Sequence, residues 1–329
     1  MSEPVPPTEP FGGWQPELPR SRDVSRRIGP WRLLERIGRG SQGTVWRAAN
    51  ANDGRNAAVK LLSTLRPDAA GDTTVRDALT LALRRFQREA EVARHLDRPG
   101  ICPVFEAGVT DETPWIAMAY LHGRTLADHI RATAAEDVLD SAGIDIRLAL
   151  IESVAEALHA AHEAGVVHRD MKPSNIMVTV EGQPVVLDFG LAGWIDADRD
   201  RITRTGDVFG TPTYMAPEQL TGGRGDRRID VYALGVTLFR CLTLRLPFEG
   251  GSRLQLFQDI ARTSAPDPRR FNPVVPAGVA AILRQALEKV PDRRYPTAQA
   301  LASDLRRARA GRRPRAASAG LRRLWPFRG

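Results

Sequence analysis

The sequence predicts an α+β fold in two segregated lobes: a small antiparallel-sheet lobe over residues 28–121 and a larger, mainly helical lobe over 122–310. Three observations lead there. Short runs with strand character, broken by glycine and Asn-Asp-Gly punctuation, fill the first part of the chain. Beyond Gly123 the apolar residues recur mostly at helical spacing. Strands followed by helices, rather than alternating with them, favour two separate layers with a ligand cleft between them.

Residues 1–27 carry six prolines and a mixed-charge run around Arg20, Arg22, Arg26 and Arg27, a composition that favours an extended, solvated arm. Strand-like runs follow at Trp31 to Ile37, Thr44 to Ala49 and Ala57 to Leu62, separated by Gly38 and Gly40 and by Asn52-Asp53-Gly54. This pattern is an antiparallel meander. A helix is expected within Thr73 to Leu96, after the breakers Pro67, Gly71 and Asp72, and two further strands at Cys102 to Val109 and Pro114 to Tyr120. From Ile146 to Ala164, apolar residues recur at Leu148, Ile151, Val154, Ala155, Leu158 and Ala161 and stop at Gly165, as in a buried amphipathic helix. No internal repeat is visible.

With 42% hydrophobic and 26% charged residues in 329, the chain can bury a substantial core. It shows neither a signal-peptide pattern nor an apolar run of about 18 residues, so a cytoplasmic protein without a membrane-spanning helix is expected. Cys102 and Cys241 lie far apart in apolar surroundings and read as reduced, buried thiols. The net charge of +8 invites a nucleic-acid partner, but residues 305–329 hold nine arginines and no acid, which leaves the other 304 residues at −1 (+8 less 9). The body is therefore not basic, and no nucleic-acid binding is expected. Residues 311–329 are expected as a basic, flexible tail. There Arg312, Arg313, Arg315, Arg322 and Arg323 interleave with Leu321, Leu324, Trp325 and Phe327, a pattern suited to weak contact with anionic membrane surfaces.

The chemistry is concentrated in five segments. Gly38-Arg39-Gly40-Ser41-Gln42-Gly43-Thr44-Val45 places glycines where backbone amides must approach phosphate oxygens. The residues after Gly43 read as a strand, whereas a dinucleotide-binding turn must lead into a helix. Lys60 closes Ala57-Ala58-Val59-Lys60, where period two directs it away from Val59 towards the cleft. A carboxylate on the following helix, Glu89 in preference to Glu91, could hold its ammonium in one rotamer. His168-Arg169-Asp170-Met171-Lys172-Pro173-Ser174-Asn175 follows the buried helix, and Asp188-Phe189-Gly190 and Ala216-Pro217-Glu218 follow in turn. His159 and His162 lie one turn apart with no third ligand, which disfavours a metal.

In this order, the segments resemble the eukaryotic-type protein kinases, and among them the bacterial serine/threonine kinases, from about Ile28 to Ala310. The resemblance implies the two-lobed kinase fold and transfer of the ATP γ-phosphate to protein hydroxyls, with Mg2+, or Mn2+ in its place, as cofactor. It assigns Asp170 as acceptor of the hydroxyl proton, Lys172 as a charge on the migrating group, and Asn175 and Asp188 as metal ligands. Ile37 to Val45, Ala58, Lys60 and Glu89 would bind ATP, with Met118 behind it and Ala119, Tyr120 and Leu121 as the hinge. Ala119 departs from the acidic residue common there, at little cost because the hinge works through its backbone. His168, Arg169, Phe189, Gly190, Thr211, Glu218, Asp230 and Arg294 would be structural, Asp230 anchoring the catalytic loop and Arg294 pairing with Glu218. Lys172 and Gly210-Thr211-Pro212 are of the serine/threonine type. Thr203 and Thr205, eight and six residues before Thr211, resemble paired activation-loop phosphosites whose phosphate would meet Arg169. Protein substrates are implied, and a homodimer would serve trans-autophosphorylation. The alternative, a pseudokinase scaffold that binds nucleotide without efficient catalysis, is disfavoured because Lys60, Asp170 and Asp188 are all present.

Overall fold

The computed structural model describes residues 27–40, 43–62, 84, 86–88, 90–111, 113–136, 140–189, 212–223 and 225–317. The small lobe is built on six antiparallel strands: β1 (Arg27–Ile28), β2 (Trp31–Gly40), β3 (Gly43–Asn50), β4 (Asn56–Leu62), β5 (Val104–Thr110) and β6 (Thr113–Ala119). They lie in the order β1-β2-β3-β4-β6-β5. Strand β4 is central, and its alternation sorts two cores. Ala57, Val59 and Leu61 join Trp31, Leu33, Trp115 and Ala117 on one face. Ala58 and Leu62 join Phe86, Ala90, Cys102, Ile116 and Met118 on the other. Val185 and Leu187 of the large lobe pack on this second cluster, so it spans the junction of the lobes. Helical residues of the expected small-lobe helix are described between 84 and 94, apart from 85 and 89.

A second sheet of β7 (Gly123–Thr125), β8 (Ile176–Thr179) and β9 (Pro184–Val186) lies at the top of the large lobe. The described helices are α1 (Leu126–Glu136), α2 (Ser141–Glu163), α3 (Pro217–Leu220), α4 (Arg228–Thr243), α5 (Arg253–Arg262), α6 (Ala277–Ala286) and α7 (Ala298–Arg309). Helix α2 begins where the Asp140 carboxylate accepts the Gly143 N–H (2.8 Å) and ends before Gly165, whose φ of +80° suits a residue without a side chain. Leu148, Ile151, Val154, Ala155, Leu158 and Ala161 are all buried, as their spacing predicts. Helix α4 is buried on nearly every side, and so forms the axis of the lobe.

Ordered packing continues past residue 310. Arg306 and Arg309 of α7 are not tail charges but pair with Glu152 of α2 (2.7 and 3.0 Å), and Arg309 also reaches Asp145. The chain then reverses at Gly311, and the backbone N–H groups of Arg315 and Ala316 donate to the buried Asp304 carboxylate (2.8 and 2.9 Å). Tyr295 donates its hydroxyl to the same carboxylate at 2.9 Å, and Ala316 is buried. Residues 318–329, including Leu321, Arg322, Arg323, Leu324, Trp325 and Phe327, lie outside the described residues. No described helix is long and apolar enough to cross a membrane.

Candidate active site

Between the lobes lies a cavity of about 400 Å3. Its roof is the β2–β3 turn. Ile37, Gly38, Arg39, Gly40, Gly43 and Val45 line it, while Ser41 and Gln42 lie outside the described residues. A Cβ on Gly43 would stand 1.9 Å from the Leu61 carbonyl oxygen, so the strand pairing itself demands glycine there. A Cβ on Gly40 would meet no atom within 4 Å, and on Gly38 only Val45. The protein's own packing therefore does not explain those two glycines, whereas a group brought close to the backbone would. Thr44 is not among the lining residues. Its neighbours Gly43 and Val45 face the cavity, so period two turns Thr44 away, and its hydroxyl accepts the Trp46 indole N–H (3.1 Å).

Ala58 and Met118 are paired across β4 and β6 and line the cavity with Ala119, Tyr120 and Leu121. Behind them Cys102 donates its thiol to the Ala119 carbonyl at 3.7 Å. Burial, and after it the Asp188 carboxylate, pushes this thiol up to about 12, so it stays protonated. Thr125, Met177 and Leu187, which the sequence motifs do not include, also line the cavity, as does Ser174, which lies within a motif that assigns it no role.

The polar end of the cavity gathers the charged residues. Lys60, buried on β4, donates to Asp188 Oδ2 at 2.7 Å. Burial alone would raise the Asp188 carboxyl. The Lys60 charge and hydrogen bond, with smaller help from His168 and Lys172, outweigh it and hold the group below the usual carboxylate range. Glu89, the expected partner of Lys60, lies outside the described residues, as do Gly190, Thr203, Thr205 and Thr211. Lys172 donates to Asp170 Oδ2 at 2.7 Å, and the Asn175 amide donates to the Asp170 carbonyl (2.8 Å) and to Oδ2 (3.3 Å). Those bonds engage the amide nitrogen and leave the Asn175 side-chain oxygen for another partner. Asp188 and Asn175 thus offer hard oxygens on one cavity wall, a donor set that fits magnesium retaining water and phosphate ligands.

Two anchors hold the loop that carries Asp170. Arg169 has a φ of +63° and Asp188 a φ of +61°, a region that costs a non-glycine residue about 1–3 kcal/mol. The fully buried Asp230 carboxylate accepts the His168 N–H at Oδ2 and the Arg169 N–H at Oδ1, both at 2.8 Å. His162 of α2 also meets Oδ2 at 2.8 Å. On the other side, the His168 ring bonds the Leu187 carbonyl (2.8 Å) and meets the Phe189 ring edge-on at 4.8 Å. Below, Arg294 grips Glu218 through two bonds of 2.7 Å and lies over the Tyr232 ring. His162 was not among the expected site residues, and its contact spans 68 positions.

The comparisons with known proteins agree with this geometry. The family described as "Protein kinase domain" matches residues 31–305. Serine/threonine-protein kinase PrkC of Bacillus subtilis is 35% identical over 286 residues, which cover 87% of this chain and 41% of that protein. Serine/threonine-protein kinase PknB of Mycolicibacterium smegmatis is 35% identical over 289 residues, covering 86% of this chain and 44% of that protein. The chain thus spans less than half the length of these relatives. Among solved structures, the PknI kinase domain of Mycobacterium tuberculosis aligns with a TM-score of 0.66 and 28% identity, covering 87% of this chain and 99% of that one. With most of its length matched, and with the two lobes and their cleft in place, the chain belongs to the protein kinase domain family.

Proposed function

We propose that the chain transfers the γ-phosphate of ATP to serine and threonine hydroxyls of proteins, its own segment around Thr203 and Thr205 included. The observation that carries this reading is a pair of ion pairs, Lys60–Asp188 and Lys172–Asp170, of which Lys60, Asp188 and Lys172 line the polar end of one cavity roofed by glycines and Asp170 lies behind Lys172. Phosphoryl transfer asks chiefly for alignment and charge neutralisation, and these residues supply both. Adenine would lie between Val45 and Ala58 above and Met177 and Leu187 below, with its edge towards Ala119, Tyr120 and Leu121. Gly38 and Gly40 would admit the phosphates. Bound magnesium, or manganese in its place, would neutralise phosphate oxygens from Asp188 and Asn175.

Asp170 would accept the proton of the acceptor hydroxyl. Lys172 and Asn175 fix its carboxylate plane through Oδ2, so its orientation is set before a substrate arrives. Lys172 would then offset the charge of the migrating group. A preference for serine and threonine over tyrosine rests on Lys172 and on Gly210-Thr211-Pro212. The use of ATP suits a cytoplasmic domain. A second copy would act as partner in autophosphorylation, and the tail from 318 onwards would meet anionic surfaces weakly.

The test is transfer of labelled phosphate to a general protein acceptor by wild type, Lys60→Met and Asp188→Asn, with phosphoamino-acid analysis. Both variants should keep their fold and fall at least a hundredfold in turnover, since each removes a charge that meets phosphate or metal. Wild-type turnover in either, or phosphotyrosine as the main product, refutes the reading.

A further inference from the structure

One side chain outside the assigned site touches the strained residue that precedes Asp170. Gln219, third residue of α3, is 8% exposed. Its Oε1 accepts the Ala216 N–H at 2.9 Å, and its Nε2 donates to the Arg169 carbonyl at 3.1 Å. The chemistry leaves no doubt about the amide's orientation, because a backbone N–H only donates and a carbonyl only accepts. Arg169 is therefore held at both ends of its left-handed backbone: the N–H by Asp230, the carbonyl by Gln219.

We propose that Gln219 is a positioning residue for Asp170, one that couples the Ala216–Leu220 stretch to the catalytic loop. The Arg169 carbonyl belongs to the peptide whose nitrogen is that of Asp170. Fixing that oxygen fixes the plane from which the Asp170 side chain departs. A left-handed residue without such restraints relaxes towards the common backbone regions. The Asp230 anchor lies on the 16-residue helix α4, buried on nearly every side, whereas Gln219 lies on the four-residue helix α3. The state of that stretch is thereby communicated to the aspartate through one amide side chain. Among the ordinary residues of similar size, glutamate keeps the acceptor for Ala216 but loses the donor for Arg169, and methionine loses both.

The proposal rests on the phosphoryl-transfer reading, and its test separates the two. Steady-state kinetics, thermal unfolding and hydrogen exchange of peptide 166–172 are compared in wild type, Gln219→Glu and Gln219→Met. In Gln219→Glu, kcat for the protein acceptor should fall about tenfold, the equivalent of one hydrogen bond, with KM for ATP within twofold and a lower melting temperature, because a carboxylate oxygen then faces the Arg169 carbonyl. Exchange in 166–172 should quicken in the same variant. Gln219→Met should show the same loss in kcat together with a lower melting temperature. A Gln219→Glu variant with wild-type kcat and wild-type exchange overturns the proposal and leaves Gln219 as a cap of α3. If the glutamate variant does not fold, unchanged exchange in Gln219→Met overturns it and faster exchange supports it. Should wild type show no transfer at all, the functional reading fails while hydrogen exchange still decides the contact.

Discussion

Replacing Asp230 by asparagine changes one atom and tests how the catalytic loop is held. The carboxylate serves its partners with both oxygens: Oδ2 faces the His168 N–H and His162, and Oδ1 faces the Arg169 N–H. An amide has a single carbonyl oxygen. Whichever way it turns, its NH2 points at a backbone N–H that can only donate, and that buried N–H is left without an acceptor. The cost of one such group is about 1–3 kcal/mol. A melting temperature lower by several degrees follows for a domain of this size. The turnover consequence is separate. With the Arg169 N–H or its neighbour released, the positive φ is no longer compensated, and Asp170 drifts from its set orientation. If the same 1–3 kcal/mol is lost from transition-state alignment, kcat falls roughly 5- to 150-fold at about 1.4 kcal/mol per decade. KM for ATP should hold, because Lys60, Met118 and the glycine roof do not touch Asp230. Urea unfolding and steady-state kinetics on one preparation measure both. An Asp230→Asn variant with wild-type kcat and wild-type stability would refute the anchoring argument outright.

Three further outcomes follow from other contacts. Glu218→Ala strands the Arg294 guanidinium, which is fully buried and otherwise bonded to the carbonyls of Glu288, Lys289 and Arg228. Loss of one partner of a buried pair costs about 3–5 kcal/mol; the carbonyl contacts that remain argue for the low end, and a loss under about 1 kcal/mol in urea unfolding would reject this. Lys289 donates to the Ile260 carbonyl beside the Phe248 ring, and burial, then the Arg294 charge, lowers its amine to about 8. The unfolded chain therefore binds more protons than the folded one between about pH 8 and the ordinary lysine value, so wild type should gain stability relative to Lys289→Met as pH rises through that window. A stability difference that stays flat with pH would contradict it. The double Thr203→Ala, Thr205→Ala variant should bind ATP as wild type does and lose most of its protein phosphorylation. Full activity, with no phosphate on either threonine of the wild-type protein, would end that gating idea.

The sequence made the catalytic wall legible because period two and motif spacing act over short distances. Lys60 lies opposite Val59 on β4, and Ala58 shares its face, as alternation requires. The same rule, applied one strand earlier, would have excluded Thr44, which a motif match alone retains. Thr125 on β7, Met177 on β8 and Leu187 just past β9 are illegible in the sequence because these strands are three or four residues long, too short for alternation to register. His162 and Gln219 were illegible for a different reason. Each acts through one side-chain bond to a partner 68 or 50 positions away, and such a bond leaves no trace in composition or periodicity. The expected boundary at 310 rests on a run of arginines without acids, which looks unstructured until the Asp304 carboxylate is found beneath residues 315 and 316.

That carboxylate bears on the smallest piece of the chain able to fold. The family match ends at residue 305, yet Asp304 is 1% exposed and takes two of its hydrogen bonds from residues 315 and 316. A polypeptide cut at 310 would keep the acid and lose both amides, leaving the Tyr295 hydroxyl as its described partner. Water must then enter between α6 and α7 to meet the freed carboxylate oxygens. The apolar seat of Ala316 opens with it, next to the Gly278 backbone on which Pro314 rests at 3.1 Å from a would-be Cβ. Any physical dissection of this protein should therefore retain the chain through Ala317, beyond residue 305 where the family match ends.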